Sequence, residues 1–329
     1  MLQAYTKQHL DIRAQLQLLQ QRGMIISDIR KAEACLERIG YYRLSGYWYP
    51  FRVESEETDR MGKTVIVKQD NFKEGTQFQS VYDLYVFDKR LRILMLDAIE
   101  RLEVGLRVAI ALLLGKRSPT AHRNPSELSS NFTRLNSRGE IPHKKWLEKH
   151  DVLALKSKED FIVHFRSKYS SDLPIWIAIE LWDFGLLSVF TYGLKNSDLD
   201  VLSKKYSLPR RELLTSWIRS INHIRNICAH HGRLWNRSPV DQPKLPRLGE
   251  IPLLDHIASN TVVPLSNNLA LIRLYAVAAI IQFFLRTINP NSTWSERLKE
   301  HLDSFPNVPH VSVESMGFPK NWSKMPLWS

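Results

Sequence analysis

Cysteine is nearly absent from this 329-residue chain, which contains only Cys35 and Cys228. Two cysteines do not make a disulfide framework, and they suit a reducing compartment such as the cytoplasm. The longest apolar run, residues 269–285, is interrupted by an arginine and a glutamine. It falls short of the roughly 20 apolar residues that span a bilayer, and we assign it to a buried helix over residues 265–288. The polar, mixed N-terminus does not resemble a signal peptide. We therefore expect a cytoplasmic protein without membrane association.

Motifs for phosphate loops, nucleophilic serines and zinc are also missing. The 13 glycines form no glycine-rich phosphate loop, and no serine occupies a G-x-S-x-G context. This pattern excludes the common nucleotide-binding and α/β-hydrolase signatures. There is no H-E-x-x-H and no pair of cysteines at ligand spacing, although structural and catalytic zinc sites usually need three or four converging ligands. We predict neither a cofactor nor a metal.

Acidic residues are too few to balance the basic ones. The chain has 46 Lys and Arg against 34 Asp and Glu, which gives a formal net charge of +12. A chain this basic commonly binds a polyanion, either a nucleic acid or an acidic membrane surface. The alternative is a generally basic, well-solvated surface that has no such partner.

Helical patterns dominate and strand patterns are few. Residues 64–67 form one strand-like piece, whereas residues 78–114 carry a sustained apolar stripe that predicts a helix about 55 Å long. We predict an all-α fold. Its parts are an N-terminal helical and aromatic region (1–77), a helical bundle (78–290) and a C-terminal strap packed on the body (291–329).

An aromatic segment lies between two glycines at residues 40–51, GYYRLSGYWYPF. One interpretation is a surface that stacks bases and contacts phosphates of single-stranded RNA, with Arg43 and Tyr47 as candidate contacts. The other interpretation, which we favour, is packing of the N-terminal helices, because aromatic side chains are chiefly core material.

The stretch from Trp217 to Arg237, WIRSINHIRNICAHHGRLWNR, is where we look for chemistry. Counted at 100° per residue, one apolar stripe faces the core; it consists of Leu213, Trp217, Ile221, Ile224 and Cys228. Asn226 and His230 point the opposite way, Arg225 lies on the flank, and His231 returns toward the stripe. An amide, an imidazole and a guanidinium are thus predicted on the exposed side of a buried helix.

Three interpretations compete for these polar residues. His223, His230 and His231 are neighbours on one helix, but they fall short of a complete zinc ligand set. Arg225 and the histidines could instead hydrogen-bond to adjacent helices and serve only the fold. The third interpretation is RNA cleavage without a metal.

Metal-free RNA cleavage needs one group to accept the 2′-OH proton and another to protonate the 5′-leaving oxygen. Histidine suits either task, and arginine matches the phosphate oxygens. One histidine per chain leaves the reaction one acid–base group short. Two copies across a dimer axis would supply two histidines and two arginines, which predicts a homodimer with the outer face of this helix at its interface.

Several stretches of the chain together carry a family resemblance. Arg225-Asn226-x-x-x-His230 matches the R-N-x-x-x-H motif of HEPN-type nucleases. The wider sequence resembles the bacterial Abi-like family of the AbiD/AbiF type, through IGYYRLSGY (39–47), LYxFDxxLR (84–92), PIW (174–176), RNICAHH (225–231) with LWNR (234–237), and GFPxxW (317–322) with LW (327–328). The match runs from about residue 5 to the end.

The resemblance implies a HEPN helical bundle, a role in abortive-infection defence against phage, and RNA as substrate or ligand. Carried over by position, Arg225 and His230 become the catalytic pair and Asn226 their polar support. The doubled histidine leaves the choice between His230 and His231 open, although the helical-face argument favours His230. A nuclease of this type is expected to leave 2′,3′-cyclic phosphate and 5′-OH ends, and a bound small non-coding RNA that restrains the protein is also implied. Candidate RNA contacts beside the pair are His223, His231, Arg233 and Arg237.

Overall fold

A computed structural model of the chain describes residues 8–59, 62–258 and 272–329. Within these residues the fold is mostly helical, and the sheet they form is a single two-stranded hairpin. The all-α prediction is therefore confirmed.

The elements follow one another in this order. The helices are α1 (Ile12–Gln21), α2 (Ile29–Ile39), α3 (Tyr41–Trp48), α4 (Phe78–Gly115), α5 (Ser130–Thr133), α6 (Pro142–Lys156), α7 (Asp160–Lys168), α8 (Ile175–Ala178), α9 (Phe184–Tyr192), α10 (Asn196–Lys205), α11 (Arg211–Ala229), α12 (Leu274–Ile288) and α13 (Trp294–Asp303). The strands β1 (Arg52–Thr58) and β2 (Thr64–Phe72) lie between α3 and α4.

The chain divides into two compact units. Unit 1 comprises Met1–Leu91 and Glu300–Ser315, and unit 2 comprises Arg92–Lys299 and Met316–Ser329. The division therefore falls within α4 rather than at residue 77, and the C-terminal segment contributes to both units.

Unit 1 contains α1 to α3 and the hairpin. Strands β1 and β2 pair antiparallel with Glu56 opposite Ile66 and Thr58 opposite Thr64. The strand-like piece predicted at residues 64–67 is the start of the longer β2. Glu54, Glu56 and Glu57 are exposed along β1, and charged side chains on an edge strand disfavour further pairing.

The core of unit 2 forms around α12. Its residues from Leu274 to Leu285 are all buried, including Gln282. The apolar run found in the sequence is thus a buried helix, as predicted, although residues 265–271 of the predicted helix lie outside the described residues. In the part of the chain that the structure describes, no helix combines the length and apolar character needed to cross a bilayer.

The last residues of unit 2 form the predicted strap over α12. The rings of Phe318 and Trp322 lie 5.1 Å apart, and Trp328 Nε1 donates to Tyr275 Oη at 3.3 Å. Arg286 donates to the carbonyl of Pro326 at 2.9 Å. Aromatic packing and the hydrogen bond from Arg286 together hold residues 316–329 against the body of the unit.

Candidate functional site

Helix α11 carries the candidate site at its C-terminal end. The five residues of its predicted apolar stripe are all buried, which confirms the periodicity argument. The Trp217 ring packs edge-on against Phe283 and Phe284 of α12, with centroids 5.9 and 5.6 Å apart. Because this face is held in the core, the opposite face of α11 projects away from it.

The helix ends one residue before His230. The N–H of Gly232 donates to the carbonyl of Ile227 at 2.8 Å, and the N–H of His231 donates to that of Cys228 at 3.1 Å. This pair of bonds is a Schellman motif, which needs a left-handed residue after the cap. His231 supplies it with φ +56°. The prediction that His231 returns toward the apolar stripe is wrong, because the helix has already ended and the side chain is exposed.

Arg225, Asn226 and His230 lie together on the outer side of this helix end. Arg225 and Asn226 are half-buried, and Arg225 Nη1 donates to Asn226 Oδ1 at 3.4 Å. His230 lies one turn further on, with its N–H bonded to the Asn226 carbonyl at 3.0 Å and its side chain exposed. The end of a helix where carbonyls point outward carries partial negative charge. A phosphate at this place therefore depends on nearby cations such as Arg225.

A group of charged side chains near Arg225 comes from α4 and from the segment just before α9. Glu103 and Arg107 form an ion pair, Arg107 also donates to the Trp182 carbonyl, and its Nη1 lies 3.7 Å from Glu180 Oε2. Burial raises the pKa of Glu103, whereas the charges of Arg107 and Arg225 act in the opposite direction. The four-residue spacing of Glu103 and Arg107 is visible in the sequence. Nothing in the sequence predicts that these two side chains lie close to α11.

Beyond the helix, the chain turns again at Asn236. This residue has φ +50°, and Arg273 Nη1 donates to both its carbonyl and its Oδ1 at 2.9 Å. The fold-back brings Arg237 over Gly232, where an added Cβ would lie 3.8 Å from Arg237 Nη1 and 3.3 Å from the Ile227 carbonyl. The tight approach at Gly232 is thus to the Ile227 carbonyl, whereas the exposed Arg237 guanidinium lies at ordinary contact distance. Arg233 is half-buried in the same segment. Arg273 was missed from sequence, where it only interrupts an apolar run.

His223 lies apart from this group. Its Nε2 accepts the N–H of Val240 at 3.4 Å, and Arg219 forms an ion pair with Asp241 on the same segment. These contacts fasten residues 240–241 along α11, so His223 supports the fold, as the structural interpretation of the histidines proposed. Across residues 8–59, 62–258 and 272–329, no three His, Cys, Asp or Glu side chains are grouped to hold a metal.

The N-terminal aromatic segment is largely a packing element. Tyr47 is 1% exposed, and its Oη donates to Asp88 Oδ2 at 2.6 Å. It offers no ring face to a base, so its prediction as an RNA contact is wrong and the packing interpretation holds. Arg43 is exposed, as are Tyr42 and Tyr49. The eight-residue α3 is aromatic on several faces, and its sequence does not indicate which face meets the core.

The net positive charge of the chain belongs to unit 2. Unit 1 has 14 Lys and Arg against 15 Asp and Glu, and unit 2 has 32 against 19. Unit 2, which carries Arg225 and His230, therefore has a formal charge of +13. A polyanion is attracted to unit 2 far more strongly than to the nearly neutral unit 1.

The unusual backbone at His231 leads to a stability prediction. Replacing His231 by Gly should raise the free energy of unfolding by about 0.5–1 kcal/mol, because glycine adopts a positive φ without the steric cost that a side chain brings. Urea denaturation at pH 7.5 measures the change. His230→Gly is the matched control, since His230 has φ −89° and glycine there should only lower stability. A destabilised His231→Gly protein would show that the side-chain contacts of His231 outweigh its backbone strain.

The observations define a class of protein: a basic, helical protein that presents arginine, asparagine and histidine together at the end of a buried helix. A family model described as Abi-like protein matches residues 34–236. This match covers more than half of the chain, and the protein belongs to the Abi-like family, which associates it with abortive-infection defence. No curated protein and no solved structure matches the chain.

Proposed function

We propose that this protein is a metal-independent HEPN-type endoribonuclease, the cytoplasmic toxin of an abortive-infection system directed against phage. One observation carries the proposal: Arg225, Asn226 and His230 are gathered at the outer end of a buried helix, in the unit that holds all the net positive charge. Basic charge draws in RNA, the arginine engages a phosphate, and the histidine moves a proton near neutral pH.

The reaction is an attack of the 2′-oxygen on the adjacent phosphorus. The P–O2′ bond forms, the P–O5′ bond breaks, one imidazole accepts the proton of the 2′-OH, and a second, protonated imidazole gives a proton to O5′. The products are a 2′,3′-cyclic phosphate and a 5′-OH. Arg225 stabilises the charge that builds on the phosphate oxygens, and Asn226, through its bond to Arg225, holds that guanidinium in place.

The second imidazole comes from a second copy of the chain. Each subunit offers one exposed His230 beside Arg225, so a homodimer built around this helix end brings two of each to one phosphate. The exposed Arg237 and His231, with the half-buried Arg233, border the same end and would contact the flanking phosphates.

The same basic unit also fits a regulatory RNA. A small non-coding RNA bound across the site would cover Arg225 and His230 and hold the toxin inactive until infection. The second candidate function is an RNA-binding module without catalysis, which the excess charge of unit 2 favours and in which Arg225 and His230 only grip phosphate. Binding would then fall steeply with salt, but no RNA would be cut.

The decisive experiment uses the purified protein, stripped of co-purifying nucleic acid by high salt. A 5′-labelled RNA is incubated in EDTA, and the ends of the products are identified by phosphatase treatment and mass spectrometry. We expect cleavage that leaves 2′,3′-cyclic phosphate and 5′-OH ends. Sequencing the nucleic acid removed in the high-salt step identifies the regulatory RNA. Binding without cleavage supports the second candidate, and cleavage that requires a divalent metal overturns the proposed chemistry.

A further inference from the structure

Asn222 of α11 carries a buried hydrogen-bond acceptor that the fold does not satisfy. Among the residues that the structure describes, no donor reaches its Oδ1, although that atom is shielded from solvent. Nearly all buried polar atoms in folded proteins are hydrogen-bonded, and leaving one unsatisfied costs stability. An exception beside a candidate site therefore points to a role in that site.

Asn222 lies one helical turn before Arg225 and Asn226. Residues three and four apart are neighbours on a helix, with Cβ atoms about 5–6 Å apart. Counted at 100° per residue, Asn222 falls between Arg225 and Asn226 around the axis of α11. All three residues are half-buried. Their side chains therefore share one patch on the outer side of the helix.

The flank of α11 that carries Asn222 packs against α4. Ile218, one turn before Asn222, lines a small apolar cavity together with Leu102 and Leu106 of α4. Glu103 follows Leu102 in that helix, and the charge of Arg225 favours its ionised carboxylate. Asn222 is thus placed at the junction of the two helices, where the Arg225 guanidinium approaches α4.

Arg225 has more donors than its bond to Asn226 uses. A guanidinium carries five N–H groups, and the bond from Nη1 of Arg225 to Asn226 Oδ1 is long, at 3.4 Å. Hydrogen bonds in catalytic sites are often long before the substrate binds and shorten in the complex. An acceptor without a donor and a guanidinium held by one long bond complement each other.

We propose that Asn222 is a positioning residue for Arg225: with RNA in the site, an N–H of the guanidinium donates to Asn222 Oδ1. Asn222 and Asn226 then hold the planar fork in one orientation, as bidentate contact with two phosphate oxygens requires. The unsatisfied acceptor is stability that the fold gives up for this site. The inference rests on the proposed function, because Arg225 is the group that stabilises the phosphate there.

Asn222→Leu removes the acceptor and keeps the approximate shape of the side chain. Single-turnover cleavage in EDTA should fall by roughly 10- to 100-fold, because a misplaced catalytic group costs up to 10²-fold. Affinity for a non-cleavable 2′-deoxy substrate should stay within a few-fold of wild type, since the charge of Arg225 remains. The midpoint of urea denaturation should stay level or rise, because an unsatisfied buried acceptor is gone. A side chain that serves only the fold would give a lower midpoint.

Ser220→Ala is the matched control on the same helix. Ser220 is 1% exposed, and its hydroxyl likewise has no partner within the described part of the chain. Counted around the helix it falls on the core side, away from Arg225. This variant should cleave RNA at the wild-type rate, with a urea midpoint that stays level or rises. Circular dichroism confirms that both variants are folded.

A double-mutant cycle shows whether Asn222 acts through Arg225. In an Arg225→Lys background, Asn222→Leu should slow cleavage by less than about 3-fold, because lysine has no planar fork to orient. Effects of the two substitutions that multiply independently would overturn the inference.

The outcomes separate this inference from the proposed function. If the wild type cleaves RNA and Asn222→Leu either cleaves equally fast or loses activity together with stability, the positioning role is overturned and the nuclease stands. If the wild type binds RNA but never cuts it, the same cycle is measured on RNA affinity. A loss of affinity in Asn222→Leu that depends on Arg225 then supports the positioning role and overturns the nuclease, and a loss independent of Arg225 overturns both. A protein that neither binds nor cuts RNA also overturns both.

Discussion

His230→Ala should lower the rate of RNA cleavage by about 10³-fold while leaving RNA affinity within a few-fold of wild type. General acid–base groups contribute 10²–10⁴-fold, and the substitution removes one from each subunit of the paired site. The His230 side chain is exposed, so its loss leaves no cavity and no buried group without a partner. Single-turnover cleavage in EDTA gives the rate, and fluorescence anisotropy with a non-cleavable 2′-deoxy substrate gives the affinity.

Two matched variants make this result specific. His164→Ala removes another exposed histidine of unit 2, on α7, and should cleave RNA at the wild-type rate. His231→Gly relieves a strained backbone but removes a proposed phosphate contact, so it should still cleave bound RNA, with weaker RNA binding, if His230 is the catalytic histidine. Equal cleavage by wild type and His230→Ala would show that His230 is not the residue that transfers the proton. Loss of activity in His231→Gly alone would show the same.

Arg225 is expected to behave differently from His230. Lysine at this position keeps the charge but loses the planar fork that binds two phosphate oxygens. Arg225→Lys should therefore weaken both RNA binding and cleavage, by about 10-fold or more in cleavage, since removing a positioned electrostatic group costs up to 10²–10³. Stopped cleavage with full RNA affinity would instead mean that Arg225 engages the phosphate only in the transition state.

Periodicity predicted the buried side of the central helix correctly but not its end. Residues spaced three and four apart define a face wherever a helix exists, which is why the stripe from Leu213 to Cys228 was found. The end of the helix depends on His231 adopting a conformation that glycine usually provides. Gly232 lies one residue beyond that position, so the usual glycine signal for a helix end is out of place in this sequence.

The neighbours of the motif could not be predicted from the sequence. Glu103 lies 122 residues before Arg225, and Arg273 lies 37 residues after Asn236. Contacts over such distances depend on how whole helices pack, and one sequence contains no periodic pattern that reports them. The burial of Tyr47 is a similar case, because the partner that satisfies its hydroxyl, Asp88, lies on another helix.

A cluster of buried histidines in unit 2 lies apart from the candidate site. His122, His143 and His150 are buried around Trp146 and Trp182. His143 Nε2 donates to the carbonyl of His122 at 2.9 Å, and Trp182 Nε1 donates to His150 Nδ1 at 3.2 Å. That bond requires Nδ1 of His150 to carry no proton, because a doubly protonated imidazole has no nitrogen that can accept a hydrogen bond. The packing therefore favours the uncharged histidines.

Burial depresses the pKa values of these histidines below the ordinary 6.5. The pKa of His122 falls to about 3, through burial first and then the charges of His150 and Arg123, and burial lowers the pKa of His150 to about 4. The negative charge of Asp151, which is paired with Arg123, partly offsets this effect by raising the pKa of His122 and of His150. Since the folded pKa values are depressed, the unfolded chain binds more protons between pH 6.5 and about 4. Stability is therefore complete above pH 6.5 and is lost as the pH falls through this window.

Acidification from pH 7 to pH 5 should consequently lower the free energy of unfolding by several kcal/mol. Each of the two histidines contributes up to about 1.4 kcal/mol per pH unit once its unfolded form is protonated, against a total stability of about 5–15 kcal/mol for a typical protein. Urea denaturation at pH 7.5, 6 and 5, followed by tryptophan fluorescence, measures the slope. His122→Phe keeps a ring against His150 and should make this slope shallower, because one titrating group is gone while His143, His150, His256 and His301, whose pKa values burial also lowers, remain. His164→Gln, an exposed control, should leave the slope unchanged. A wild-type stability that stays level between pH 7 and 5 would mean that the cluster accepts protons without opening.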